Sequence, residues 1–163
     1  MNLCRDAEAS GSLGPDFTQC VWTLETLETT QQLGQHLARH LPKGSILLLQ
    51  GELGAGKTSL VQGLAQACGI TEPITSPTFA LAQHYPDGNP PLVHLDLYRL
   101  EGAGSADELC LQEEEEARAS GALMAGEWPE RLRLALPEAW RLELSYLKTG
   151  RRAQLTPPKN AST

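Results

Sequence analysis

Eight consecutive residues, Gly51-Glu52-Leu53-Gly54-Ala55-Gly56-Lys57-Thr58, restrict what this chain can fold into. Their order is G-x-x-x-x-G-K-[ST], the pattern of a loop that wraps phosphate groups. Glycines let backbone approach phosphate oxygens closely and turn successive N–H groups inward. Lys57 supplies a flexible cation for β- and γ-phosphates, and Thr58 a hydroxyl for Mg²⁺. A helix starting at this point adds the positive end of its dipole. The flanks agree with the pattern. Ser45 to Gln50 is apolar through its middle, as a strand buried on both faces would be. Lys57 to Cys68 places Leu60, Val61, Leu64 and Ala65 on one side of a helix, with Gly69 as its stop.

The remaining chain reads as alternating strands and helices. Phe17 to Thr23 alternates as a strand does. Thr26 to Leu41 carries Leu27, Thr30, Leu33, Leu37 and Leu41 at helical spacing, with Thr26 as N-cap and Pro42 and Gly44 ending it. Phe79 to His84 reads as a short extended piece, Leu92 to Leu97 as a strand, Ser105 to Ser120 as an acidic helix, and Ala122 to Gly126 as a short strand running into Glu127. Trp140 to Leu147 and Arg151 to Thr156 form a C-terminal hairpin turned at Thr149-Gly150. This organisation predicts one domain over residues 17–156, with a flexible extension at 1–16 and a flexible tail at 157–163.

A nucleotide–Mg²⁺ site needs carboxylates near the phosphate loop, to hold metal or position water. Asp96 and Glu127 stand where strands should end, and in open α/β sheets ligands bind beyond those ends. The run Glu113 to Glu116 points around a helix instead of converging, and reads as a solvated face. His84 and His94 are too isolated in sequence to suggest a metal site. His36 and His40 read as helix-surface residues, and Trp22 and Trp140 as core.

Composition excludes several classes. The 163 residues are 40% hydrophobic and 20% charged, ordinary for a globular chain, and their net charge of −7 argues against broad binding of nucleic-acid phosphates. No apolar run exceeds four residues, as in Ile46 to Leu49, far short of a membrane span. The first twenty residues have no apolar block of the secretory type. Four scattered cysteines without a C-x-x-C pair fit reduced thiols in a cytoplasmic protein.

Among nucleotide proteins, a regulatory GTPase would carry D-x-x-G and N-K-x-D, and a transporter-type ATPase an L-S-G-G-Q-like signature. None of these is present. A small-molecule kinase, with Arg99, Arg118, Arg131 and Arg133 available for a lid, stays open, as does a nucleotide sensor that does not hydrolyse.

Four motifs in order resemble the bacterial TsaE (YjeE) family: the phosphate loop, Ser76-Pro77-Thr78-Phe79, His94-Leu95-Asp96-Leu97-Tyr98-Arg99-Leu100 and Glu127-Trp128-Pro129-Glu130-Arg131. The resemblance covers roughly residues 20–133 and, more weakly, the C-terminal strands. It implies an α/β, P-loop NTPase-like three-layer fold with a mixed, mainly parallel sheet. It also implies an ATPase, weak alone, that uses ATP and Mg²⁺ and drives turnover of a TsaD–TsaB complex modifying adenosine 37 of tRNA with threonylcarbamoyl. tRNA would be met only through that complex. Carried onto this chain, Gly51, Gly54, Ala55, Gly56, Lys57, Thr58 and Ser59 would hold the phosphates. Thr58 and Glu127 would ligate Mg²⁺, and Asp96 would bind it through water or position the attacking water. Ser76-Pro77-Thr78 would sense the γ-phosphate, with Lys57, Asp96 and Thr78 as the catalytic set, and Thr30 and Arg152 would flank the adenine. The chain departs from the usual pattern in having Glu52 where the family has Asp, and in the unusually acidic stretch from Leu109 to Ala122.

Overall fold

A computed structural model describes residues 20–75, 82–98, 100 and 104–159. Its elements run β1 (Cys20–Leu24), α1 (Leu27–His40), β2 (Ile46–Gln50), α2 (Lys57–Ala67), β3 (Ala82–Tyr85), β4 (Leu92–Asp96), α3 (Ser105–Ser120), β5 (Leu123–Glu127), a 3-10 turn (Pro129–Arg131), β6 (Trp140–Tyr146) and β7 (Arg151–Thr156). The seven strands form one sheet in the order β1-β7-β6-β2-β5-β4-β3. The inner four, β6, β2, β5 and β4, are mutually parallel. Antiparallel pairs close both edges: β3 on β4, and β7 and β1 beyond β6. The mixed sheet is the one the family resemblance implies, and the C-terminal hairpin is the one the residue pattern predicts.

Local chemistry sets these boundaries. Thr26 caps α1, its side-chain oxygen accepting the N–H of Thr29 at 3.1 Å. The α1 apolar stripe is narrower than the spacing implies: Leu33 and Leu37 are buried, whereas Leu27 is 65% exposed. The strand expected from Phe17 to Thr23 is described only from Cys20, and it continues to Leu24. The extended piece expected from Phe79 to His84 is described as Ala82–Tyr85.

Two apolar cores sandwich the sheet. Leu47 and Leu49 of β2 pack with Leu33 and Leu37 of α1 and Leu60 and Leu64 of α2 on one face. Ile46 and Leu48 pack with Ala106, Cys110 and Ala117 of α3 and with Leu136 on the other. Alternation along β2 thus feeds both cores, which explains its unbroken apolar run. Helices α1 and α2 cross backbone to backbone. A Cβ at Gly34 would strike the Leu60 carbonyl, and one at Gly63 the Gln31 carbonyl. Trp22 lies in the core as expected, while Trp140 is only partly buried against it.

The acidic face of α3 corrects the sequence reading. Glu113 is buried, 6% exposed, because edge strand β3 lies over that side of the helix and His84 meets its carboxylate. His84 and His94, isolated in sequence, each pair with a glutamate. Among the described residues, Cys68 and Cys110 are free buried thiols, and burial pushes the Cys110 thiol up to about 12. No described helix is long and apolar enough to cross a membrane.

Candidate functional site

The phosphate loop joins the carboxyl end of β2 to the start of α2, at the centre of the parallel strands. Gly54 and Gly56 have φ of +78° and +108°, left-handed backbone that side chains rarely adopt. These glycines let the loop curl and bring backbone N–H groups to the open end of α2. Two residues of the C-terminal hairpin hold its outer rim. Tyr146 Oη donates to the Leu53 carbonyl at 2.6 Å, and Arg151 donates to the Gly54 carbonyl at 3.2 Å. Arg151 also lies over the Tyr146 ring, 4.2 Å from its centroid.

Lys57 opens α2 and is 5% exposed. Its Nζ donates to the Gly51 carbonyl at 2.5 Å and lies 3.4 Å from the centroid of the Trp128 ring. Burial holds the Lys57 ammonium below its ordinary pKa, and the charges of Glu127, Glu130 and Asp96 pull it back up. Trp128 stands at φ +63°, the only non-glycine at positive φ among the described residues. That strained turn carries its ring back over the lysine.

Asp96 and Glu127 are direct register partners at the ends of β4 and β5, and Glu127 also registers with Leu49, beside the loop. Register partners share a sheet face, so both carboxylates lie on the α1–α2 side, where Lys57 begins its helix. Burial raises the Asp96 carboxyl above its usual range. The Tyr98 N–H, donated to Oδ1 at 3.0 Å, opposes that rise, and the charge of Glu127 adds to it. Glu127 is 3% exposed and takes a hydrogen bond from His94, Nε2 to Oε2 at 2.5 Å. The other ring nitrogen of His94, Nδ1, is buried and has no partner among the described residues. Beside the loop, a cleft of about 650 Å³ is lined by Gln50 to Leu53, Trp128, Glu130 and Glu143 to Tyr146.

The structure therefore brings together most residues singled out in the sequence. Gly51, Gly54, Ala55 and Gly56 form the loop, and Lys57, Thr58 and Ser59 the first turn of α2. Thr30 is buried in the first turn of α1, its Cγ2 3.5 Å from where a Gly56 Cβ would sit, and its hydroxyl donates to the Thr26 carbonyl. Arg152 lies in β7 and donates to Gln154. Ser76, Pro77, Thr78, Phe79 and Arg99 lie outside the described residues.

A family model described as "Threonylcarbamoyl adenosine biosynthesis protein TsaE" matches residues 24–154. The chain belongs to the TsaE family. A TsaE of Synechocystis is 50% identical over 112 residues, covering 67% of this chain and 69% of the relative. One from Nostoc is 45% identical over 134 residues, covering 80% and 81%. The crystal structure of Bacillus subtilis YdiB superposes with a TM-score of 0.70 at 27% identity, covering 87% of each chain. The TsaE match spans every strand and helix described above except β1, of which it includes only Leu24, and the last two residues of β7.

Three features of this TsaE-family site escape a linear reading. His94 sits 33 positions before the glutamate it holds. Trp128 follows Glu127 directly, but its contact with Lys57 depends on a positive φ that no neighbouring glycine announces. Arg151 reaches the loop, a consequence of hairpin register.

Proposed function

We propose that this chain binds ATP with Mg²⁺ at the loop Gly51–Thr58, hydrolyses the ATP, and thereby drives turnover of a TsaD–TsaB complex in threonylcarbamoylation of adenosine 37 of tRNA. The observation that carries this reading is the register pairing of Asp96 with Glu127 on the face where Lys57 begins α2. It gathers two carboxylates and a buried cation beside a loop shaped for phosphate. The donor set fits the groups implied: hard oxygens for Mg²⁺, backbone N–H groups and an ammonium for phosphate.

Each residue then has a definite task. Lys57 exchanges its hold on the Gly51 carbonyl for phosphate oxygens, with the Trp128 ring confining its ammonium to the loop. Glu127 would ligate the metal with Thr58, and the His94 hydrogen bond fixes the orientation of its carboxylate. Asp96 would orient a water, either on the metal or for attack. Bound Mg²⁺ would offset negative charge on the β- and γ-phosphates. Thr78 is assigned the sensing of the γ-phosphate. Tyr146 and Arg151 keep the loop rim in its curled form before nucleotide arrives, so less ordering remains for binding to impose.

Reconstitution tests the reading. Purified TsaD, TsaB and the enzyme supplying the threonylcarbamoyl donor are mixed with tRNA, and modified adenosine is counted over several turnovers. Multiple turnover should require this protein and ATP, with phosphate released in step. Equal turnover without the protein, or with Lys57→Ala in its place, would refute the proposal.

A further inference from the structure

Edge strand β3 and helix α3 meet through three side chains that the phosphate site does not use. His84 Nε2 lies 2.5 Å from Glu113 Oε2, and Glu116 adds a third donor, with one ligand atom from each residue within 4.8 Å of the others. We propose that His84, Glu113 and Glu116 form a binding site for a divalent transition-metal ion of the Zn²⁺ class, which ties β3 to α3.

The chemistry of the donors selects that class. An imidazole with two carboxylates suits Zn²⁺, whereas Mg²⁺ and Ca²⁺ favour oxygens alone. Glu113 and Glu116 are three residues apart on α3 and so share a helix face, the one that His84 approaches from the strand. Charge points the same way. Glu113 has only 7% of its side chain exposed, and a second carboxylate stands nearby. Among the described residues, His84 is the only ion-pair partner of Glu113, and Glu116 has none. Arg118, further along the helix, pairs with Glu114 and Glu138 instead. Helix spacing sets Glu116 beside Glu113, and a bound cation would offset the repulsion between the two carboxylates.

The adjustment needed is small. Ligand atoms about 2.0–2.2 Å from a tetrahedral Zn²⁺ stand about 3.4 Å apart. His84 and Glu113 would separate by roughly 1 Å and Glu116 would draw in, to reach that tetrahedral spacing. His84 and Glu116 are both exposed, which leaves their side chains room to shift, while buried Glu113 provides the fixed point. Exposure also leaves the fourth position to water.

The test uses the full chain, stripped by chelator and free of nucleotide, titrated with Zn²⁺ against a competing chromophoric indicator. One equivalent should bind, and affinity should fall at least about tenfold in both His84→Ala and Glu116→Gln. Zn²⁺ should also raise the melting temperature of the wild type but not of Glu116→Gln. That variant alters an exposed side chain, so its fold can be verified by circular dichroism where Glu113→Gln risks misfolding. Absence of stoichiometric binding in the wild type would overturn the site. So would binding undiminished in both variants, or binding lost instead in His40→Ala or Asp96→Asn.

Discussion

His94 and Glu127 face each other from adjacent parallel strands, Nε2 to Oε2 at 2.5 Å, with side chains 0% and 3% exposed. The bond runs diagonally, since His94 registers with Ala125 and Glu127 with Asp96. A carboxylate this deep depends on its hydrogen-bond donor. His94→Leu should therefore lower stability by about 2–3 kcal/mol, read from urea unfolding. The double variant His94→Leu/Glu127→Gln should lose less than the sum of the two single losses, because the partners share one interaction.

Lys57→Ala should reduce phosphate release at least about 100-fold, the scale for losing one preorganised electrostatic contact. Lys57→Arg should not restore the rate. The Lys57 ammonium fits between the Gly51 carbonyl and the Trp128 ring, and a planar guanidinium presents its donors in a different geometry. Steady-state phosphate release, measured with partner proteins present, checks both.

Asp96 gives a pH-dependent stability difference. Its carboxyl titrates above the ordinary value in the folded protein, chiefly through burial, so the folded state retains a proton that the unfolded state has already lost. Stability from this group is full below the ordinary carboxylate pKa of about 3.9 and is lost as pH rises through the raised folded value. Asp96→Asn does not titrate and can still accept the Tyr98 N–H. The variant should gain on the wild type as pH rises through that window and be the more stable protein at pH 7, while hydrolysing ATP poorly. Urea midpoints across pH without Mg²⁺ or nucleotide give the first result, and phosphate release the second. A constant stability difference across pH would refute the burial argument.

Gly54→Ala should cost about 1–3 kcal/mol, from forcing a side chain into left-handed backbone. Part of the cost is specific: the new Cβ would stand 2.8 Å from Tyr146 Oη. Tyr146→Phe removes that oxygen together with its bond to Leu53, and alone should cost about 0.5–1 kcal/mol. Adding Gly54→Ala to Tyr146→Phe should then be milder than adding it to the wild type. A double-mutant cycle by denaturant unfolding measures the difference.

Gly34→Ala should destabilise by about 1–3 kcal/mol by prising α1 from α2, because the added methyl meets the Leu60 carbonyl. Lys57 begins the displaced helix, so nucleotide affinity should weaken as well. Calorimetric titration with ADP reads the second effect separately from the urea midpoint.

Much of the fold was legible because its signals are local. The apolar period of α2, the continuous run of β2 and the turn at Thr149-Gly150 each lie within a dozen residues, and the phosphate loop announces itself by residue type. The site was legible where strand ends could be located, which is how Asp96 and Glu127 stood out. What stayed hidden depends on register and packing. Glu113 reads like its three glutamate neighbours until β3 is laid over α3. His94 has meaning only when β4 and β5 are aligned. Neighbouring residues of a strand point to opposite faces, so only the pairing of β7 with β6 and β1 shows that Arg151 is the arginine that reaches the loop.

The sheet order also has a consequence in time. Strand β1 pairs with β7, Cys20 opposite Leu155, so the earliest described strand has no neighbour until the last one exists. The same final hairpin supplies both tethers of the phosphate loop. A chain emerging from the ribosome can form α1, β2 and α2 early, but its loop rim lacks the Tyr146 and Arg151 tethers until that hairpin has been made. Pairing over so long a separation is slow. The order of synthesis thus delays a fully shaped phosphate loop until the β6–β7 hairpin has emerged.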